Sequence, residues 1–551
     1  MEKINSLKND HSILFIVILF VSGLLFFFPY LGSVHLFDWD EINFAESARE
    51  MIVTHDYHLV QINYEPFWEK PPLFFWLQAG AMHLFGINEF AARFPNALFG
   101  IISLLTFFLI GKNHKSPRFG FLWALAYLGS FLPHLYFKSG IIDPVFNYFI
   151  FMGIYFMYRD VTKEQWKWKY SFVILSGIFI GLATLTKGPV GLLVFLLVYF
   201  IYFLFKKFSS FPSVSRILIW LTFYIIVCLL WFGEEVAKNG LWFLQRFITY
   251  QIELFLEPVA SHGEPFYYHF VVVFIGCFPI SIIGLPILFG RIKGVKKEFP
   301  LLMKILFWTI MILFSLTTTK IVHYSSLTYM PLAFMAAFYL DELIQNKEKI
   351  NTAVLYGVIL MGLIFSSLLA ALPYLANHPE IIEPYIRDEY AKANLNIKVE
   401  WQGWENLTGI FYFLLIILSA FFFAKKSNWK AITTLFYATA LCLFIYLITV
   451  VPKIEQYSQG PAIRFYQSLA GKDVYMWPVG FKSYAQYFYG QKPPEPKYGK
   501  NQLEYLLRGK IDRPAYFVVK INNKEFTDQC NDCTLLKQEG GFLFYERKPP
   551  E

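Results

Sequence analysis

Charge is scarce in this sequence: 16 % of its 551 residues are Asp, Glu, Lys or Arg, against 56 % hydrophobic residues that include 62 Phe and 35 Tyr. That balance excludes an ordinary soluble domain. Cysteine is scarce too, and three of the five, Cys228, Cys277 and Cys442, lie inside apolar runs where a small buried hydrophobe is expected. No internal repeat is evident. The formal charge of +8 does not point to nucleic acid, because Lys and Arg fall in short clusters between apolar runs.

What is abundant is apolar segments of bilayer-spanning length. The first, Ile13 to Phe28, follows Lys3 and Lys8 without a small-residue cleavage site and reads as an uncleaved span. Others read at 93–111, 119–137, 141–158, 171–186, 189–205, 217–233, 269–290, 304–319, 325–343, 352–374, 408–424 and 431–451, about thirteen in all. With thirteen spans, the clusters Lys112/Lys115/Arg118, Arg159/Lys163/Lys167/Lys169, Lys206/Lys207, Arg291/Lys293/Lys296/Lys297 and Lys425/Lys426/Lys430 share one side. The positive-inside pattern makes that side and the N-terminus cytoplasmic, and the C-terminus external.

The expected fold is an α-helical polytopic membrane protein, with 1–451 as the transmembrane unit and 452–551 as a small external α/β domain. Helix-like stretches at 461–470 and 502–509 alternate there with strand-like runs at 474–477, 516–521 and 542–545. Cys530-Asn531-Asp532-Cys533 reads as a zinc half-site, a redox motif or a local disulfide, and an external compartment favours the disulfide.

The external loop 34–92 is too long for a connector. Asp38-Trp39-Asp40-Glu41 opens it, and Ile42, Ala45, Ala48, Met51 and Ile52 suit an amphipathic helix on the membrane surface. Asp38 or Asp40 at its start is either an N-cap or a reactive carboxylate. Asp-x-Asp also suits a metal-bound nucleotide sugar, but nucleotide sugars are cytoplasmic, and a lipid-linked donor fits the external side. Glu69-Lys70-Pro71-Pro72 forms a turn further on. Lys187 and Lys320 stand at the outer ends of spans, as snorkelling anchors or as ligands of an anion.

Asp40-Glu41-x-x-Phe44-Ala45-Glu46-x-x-Arg49-Glu50-Met51, then Glu69-Lys70-Pro71-Pro72-Leu73, then Asp143, then Leu185-Thr186-Lys187-Gly188-Pro189 together resemble the GT-C membrane glycosyltransferases. Within these the order is closest to the lipid A aminoarabinose transferases and their protein O-mannosyltransferase relatives. The resemblance implies a glycosyltransferase that moves a sugar from a polyprenyl-phosphate donor to a cell-envelope acceptor, namely lipid A, a glycan or a protein hydroxyl. It would work at the external face of the bacterial inner membrane, by an inverting single displacement. It implies Asp40 as catalytic base, Asp143 as a second catalytic-site carboxylate in a supporting role, and Glu41, Glu69, Lys70, Lys187, His262, Lys320 and Tyr324 as substrate-binding residues. Asn43 and Phe44 replace an arginine and a tyrosine of the aminoarabinose enzymes. The metal requirement stays open, since Glu69 and His262 could ligate zinc but two separated residues define no site. The competing function is a transporter or flippase of a lipid-linked sugar, which would place charges near the midplane and show internal repeats.

Overall fold

The structure, a computed structural model, describes residues 11–37, 39–162, 169–256, 263–290, 297–494, 502–523, 526–530 and 532–550. The protein is a polytopic helical membrane protein with a small sheet in its C-terminal part. Among the described residues six helices are long and apolar enough to cross a bilayer, or eight if each of two bent pairs is one span. Four shorter apolar helices, Ser12–Phe27, Leu73–Phe85, Ser171–Lys187 and Val190–Phe205, accompany them.

Three expected spans are broken, 217–233 by a 56° bend between Val214–Leu229 and Phe232–Asn239 and two others for local reasons. The 119–137 run divides into Pro117–Leu128 and Phe131–Tyr136 at Gly129, where a Cβ would lie 2.4 Å from the Phe436 carbonyl oxygen. The close approach of two backbones therefore takes precedence over helix continuity. The 269–290 run bends by 106° between Tyr268–Gly276 and Ile280–Phe289, where Pro279 has no N–H to continue the ladder.

The Glu89–His114 helix orders the bundle along its axis. At about 1.5 Å per residue its 26 residues separate Arg93, beside the first loop, from Lys112 by roughly 30 Å. At the Lys112 end, Lys115 and Arg118 meet Asp341 at 2.8 and 2.6 Å, and Lys206 pairs with Glu298. Basic clusters far apart in sequence thus share one end of the bundle with acidic partners.

The Asp40–Thr54 helix corrects the surface-lying expectation: every residue from Glu41 to Met51 is buried. Its covering comes from two sources. Leu73–Phe85 and Glu89–His114 lie on one side, and the C-terminal segment closes the other through Ile463, Tyr466, Phe488 and Tyr489. Backbone contacts fasten the joint, since the Leu36 N–H donates to Tyr489 Oη (2.7 Å) and Gln459 donates to the Leu36 carbonyl (2.8 Å).

The C-terminal sheet comprises β1 (Tyr475–Val479), β2 (Ala515–Lys520), β3 (Cys533–Glu539) and β4 (Phe542–Arg547) in the order β1-β2-β4-β3, with β1 parallel to β2 and the other pairs antiparallel. The expected helices are present as Gly460–Leu469 and Gln502–Arg508. Strand β3 escapes sequence reading because it is a largely exposed edge without apolar alternation. Cys530 and Cys533 form a disulfide with Cα atoms 5.5 Å apart, and Cys228, Cys277 and Cys442 are free.

Where the C-terminal segment crosses the first loop, charge is buried in a network. Arg49 binds Glu46 through two bonds of 2.7 Å and donates to the Lys492 carbonyl, which also accepts from Tyr64 Oη. Glu50 accepts from the Tyr64 N–H at 2.8 Å. Burial first, and then the neighbouring Glu46 carboxylate, push the Glu50 carboxyl up to about 9. The folded protein therefore holds a proton on Glu50 that the unfolded chain releases above its ordinary 4.5. Between 4.5 and about 9 the folded state binds more protons, so this contribution falls as pH rises. Glu50→Gln copies the protonated carboxyl and should melt at a higher temperature than wild type at pH 8, with no difference at pH 4.5. Thermal melting of the detergent-solubilised protein from pH 4.5 to 9 checks this, and parallel curves for the two proteins would refute it.

Candidate active site

Asp40 is the first residue of its helix, and the residue before it, Trp39, stands at φ 130° with no side-chain cap. The N-cap alternative for Asp40 therefore fails: its carboxylate turns away from the helix N–H groups and into a large cavity. Asp38 lies outside the described residues. A φ in the left-handed region is costly for a tryptophan, and Trp39 is gripped from the C-terminal segment. Lys482 Nζ lies 4.5 Å from its ring and Tyr484 packs against it edge-on.

The cavity encloses about 1080 Å³ and has two characters. Its upper wall carries Asp40, Glu69, Lys70, Lys138, Asp143, Lys187, His323 and Tyr324. Its lower wall is apolar, from Phe131 and Leu135, from Leu368, Leu369 and Leu372 on the Thr352–Asn377 helix, and from Leu443 and Leu447 on the Asn428–Thr449 helix. A narrow apolar crevice of about 60 Å³ opens beside it and shares Lys70, Asp143, Lys187 and Tyr324.

Three helix ends deliver the charges. Asp143 starts Asp143–Val161 with Pro144 in the first turn, and Lys187 ends Ser171–Lys187, where Gly188 at φ +102° lets the chain turn against Phe247. Lys187 Nζ donates to Asp143 Oδ1 at 2.6 Å and lies 5.4 Å from the Tyr324 ring. Glu69 accepts from Tyr250 Oη at 2.6 Å, and Lys70 Nζ lies 5.7 Å from that ring. Among the described residues Lys70 has no ion-pair partner. Burial, then the positive Lys187, outweigh Glu69, Asp40 and Asp143 and hold the Lys70 ammonium below its ordinary value. Lys70 thus presents a partly buried cation to the cavity, an arrangement that can hold an anion.

Asp40 is about a third exposed, and its Oδ2 lies 3.5 Å from His323 Nε2. Burial raises its carboxyl, but His323, Lys187 and Lys70 together carry it below the usual aspartate value, so it is ionised at neutral pH. His323 Nδ1 is 2.9 Å from Tyr136 Oη.

The other expected residues divide. Glu41 reaches the cavity wall with both oxygens taken: Arg93 bonds it at 3.1 and 2.7 Å, the Phe37 N–H at 2.9 Å, and the Gly140 N–H completes the set. Lys320 is buried away from the cavity, with its ammonium on the Thr317 carbonyl at 2.6 Å. His262 lies outside the described residues. Asn43 is buried, and Phe44 lines the cavity. No group of three or more His, Cys, Asp or Glu that could hold a metal occurs among the described residues.

Sequence reading missed Tyr136, Lys138 and Tyr250, and assigned no role to His323. Lys138 Nζ donates to the Pro29 carbonyl at 2.8 Å, and burial, aided by Arg93, lowers its ammonium to about 8. Tyr136, Lys138 and Tyr250 sit in no motif, and His323 is an unassigned position of the Lys320–Tyr324 stretch; only folding brings them together at the cavity.

A family model for dolichyl-phosphate-mannose-protein mannosyltransferases matches residues 69–232. The undecaprenyl phosphate-alpha-4-amino-4-deoxy-L-arabinose arabinosyl transferase of Wigglesworthia glossinidia brevipalpis is 25% identical over 362 residues, 63% of this chain and 62% of that protein. The enzyme of the same description from Serratia proteamaculans is 25% identical over 455 residues, 80% of this chain and 76% of that one. With the first of these the match spans about three fifths of the relative's length. The crystal structure of ArnT from Cupriavidus metallidurans bound to undecaprenyl phosphate superposes with a TM-score of 0.76 at 17% identity, over 96% of this chain and 97% of that one. Motif order and fold agree: the chain is similar in sequence to these aminoarabinose transferases and shares the fold of the ArnT structure.

Proposed function

We propose that this protein transfers a sugar from a polyprenyl-phosphate donor to a hydroxyl of a cell-envelope acceptor, with lipid A, a glycan or a protein hydroxyl as the acceptor classes. One observation carries the reading: an ionised carboxylate, Asp40, and an ammonium without an ion-pair partner among the described residues, Lys70, line one large cavity whose remaining lining is mostly apolar. Such a cavity accommodates a phosphate at one end and prenyl or acyl chain at the other. The names of the relatives support the same donor class.

In the reaction the acceptor oxygen attacks the anomeric carbon, and the bond to the carrier phosphate breaks with its electron pair on the phosphate oxygen. Asp40 takes the acceptor proton. Lys70, with Lys187 and Tyr324 beside it, offsets the charge that grows on the departing phosphate, while Asp143 holds Lys187 in place. A single displacement inverts the anomeric centre, and because phosphate leaves as a stable anion no second carboxylic acid is needed, unlike glycoside hydrolysis.

The transfer unit is 1–451 with its loop 34–92, and 452–551 is the external domain that covers that loop. The chain lies in the inner membrane with its N-terminus cytoplasmic and its C-terminal domain periplasmic. Single cysteines at the exposed positions Glu65 and Lys472 should react with an impermeant thiol reagent in whole cells, and one at Lys426 only after permeabilisation. Labelling of Glu65 and Lys426 from the same side would overturn the orientation.

Asp40→Asn keeps the size of the residue but cannot take a proton, so turnover of a polyprenyl-phosphate sugar should fall by about 10²–10⁴-fold with donor affinity unchanged. Near-normal turnover would remove Asp40 as the base and move Asp143 into its place. Lys70→Ala should weaken binding of a polyprenyl phosphate by about 10- to 100-fold. Unchanged affinity, measured directly by titration, would exclude Lys70 as the phosphate ligand.

A further inference from the structure

His323 and Tyr136 lie on the cavity wall and are claimed by no motif of the family pattern. They belong to separate parts of the chain, Tyr136 ending the short Phe131–Tyr136 helix and His323 in the 3-10 turn Val322–Thr328. Folding nonetheless sets them in line with the reactive carboxylate, Tyr136 Oη to His323 Nδ1 at 2.9 Å and His323 Nε2 to Asp40 Oδ2 at 3.5 Å. Tyr136 is itself buried and held edge-on against Tyr329 at 5.3 Å between ring centres. The imidazole is thus fixed from behind and aimed at Asp40.

We propose that Tyr136 and His323 are positioning residues for the transfer reaction: the imidazole presents an Nε2–H to Asp40 Oδ2 and leaves Oδ1 free for the acceptor hydroxyl. This rests on Asp40 being the base. The physical argument is one of lone pairs. Nε2 facing a carboxylate oxygen must carry a hydrogen, because two lone pairs at that distance repel. A neutral ring carries one hydrogen, so Tyr136 must donate to Nδ1 for it to reside on Nε2. The buried tyrosine hydroxyl therefore selects the tautomer that Asp40 requires, and the ring fixes the carboxylate plane. During the reaction the acceptor proton goes to Oδ1 while the Nε2–H stays on histidine, so the group that holds the base does not compete for its proton.

The other ionisable groups around this cavity are Glu41, Glu69, Lys70, Lys138, Asp143, Lys187 and the tyrosines Tyr250, Tyr324 and Tyr446. Of these Lys187 and Lys70 also favour the ionised Asp40, and neither touches the imidazole through a hydrogen bond among the described residues. Removing the histidine donor leaves those charges in place, so its own effect can be read separately.

The test compares His323→Gln, His323→Asn and Tyr136→Phe in the full-length protein, with a polyprenyl-phosphate sugar as donor. Glutamine places an amide N–H near the Nε2 position and asparagine places one near Nδ1, so only glutamine keeps a donor toward Asp40. His323→Gln should retain turnover within about threefold, whereas His323→Asn should lose about 10- to 100-fold in kcat with the donor KM unchanged. In His323→Asn the acid limb of kcat/KM should also move up by about one pH unit, because the carboxylate has lost a hydrogen bond to its charged form. Tyr136→Phe should fall between the two. Equal activity of the glutamine and asparagine variants, with acid limbs that coincide with wild type, would overturn the proposal while leaving Asp40 as the base. Full activity of Asp40→Asn would overturn both. A histidine that served only to pack the turn would lower melting temperature in both variants alike and leave the acid limb where it was.

Discussion

The buried carboxylate of Glu41 is the contact on which the site depends. It closes on Arg93 through two hydrogen bonds and accepts the N–H groups of Phe37 and Gly140. Arg93 in turn donates to the carbonyls of Leu31, Val34 and His35. One acid and one base therefore join the end of the first span, the start of the first-loop helix, the Glu89–His114 helix and the loop that carries Lys138 to Asp143. A buried pair of this kind is tolerable only when every polar atom is satisfied, and removal of one partner typically costs about 3–5 kcal/mol. Gly140 is part of the same fit, since a Cβ there would lie 3.5 Å from the Glu41 carboxylate and 3.4 Å from the Ala92 carbonyl. Asp40 and Asp143 face one cavity because Glu41 holds their two loops together.

A second layer of constraint comes from outside the bundle. The helix that bears Asp40 is polar for a buried element, with Glu41, Asn43, Glu46, Ser47, Arg49 and Glu50 all withdrawn from solvent. Such a helix is stable only under a cover that returns hydrogen bonds, and Tyr64, bonded to Glu50 and Arg49, and the Lys492 carbonyl of the 452–551 segment, bonded to Arg49, provide it. Lys482 and Tyr484 extend this cover to Trp39, whose backbone strain sits one residue before Asp40. The 452–551 segment thus acts on the geometry of the cavity without contributing a charge to its lining.

Much of the electrostatics follows from placing ionisable groups where the apolar bundle ends. Lys187, Asp143, Lys70 and Asp40 all stand at helix termini or in loops, so each can be solvated by the cavity while its neighbours remain in an apolar setting. Lys187 and Asp143 neutralise each other at 2.6 Å. Lys70 and Asp40 are left with the cavity between them, and the charge separation available for catalysis is concentrated there.

The sequence by itself determined the membrane class, the apolar segments, most C-terminal elements and the motif residues Asp40, Lys70, Asp143, Lys187 and Tyr324, because composition, hydropathy and motif order are local properties of the chain. It could not distinguish a carboxylate that opens on the cavity from one that binds protein: Glu41 and Asp40 are adjacent, yet Glu41 is enclosed by Arg93 and Asp40 faces the cavity. Nor could it tell that the Lys320 ammonium folds back on the Thr317 carbonyl, or that the first-loop helix is covered rather than lying on the membrane. Only tertiary structure brought Tyr136 to His323 across 187 residues and Tyr250 to Glu69 across 181. Periodicity records how a segment meets its surroundings on average, whereas a hydrogen bond between distant side chains depends on packing of whole helices, which no local pattern encodes.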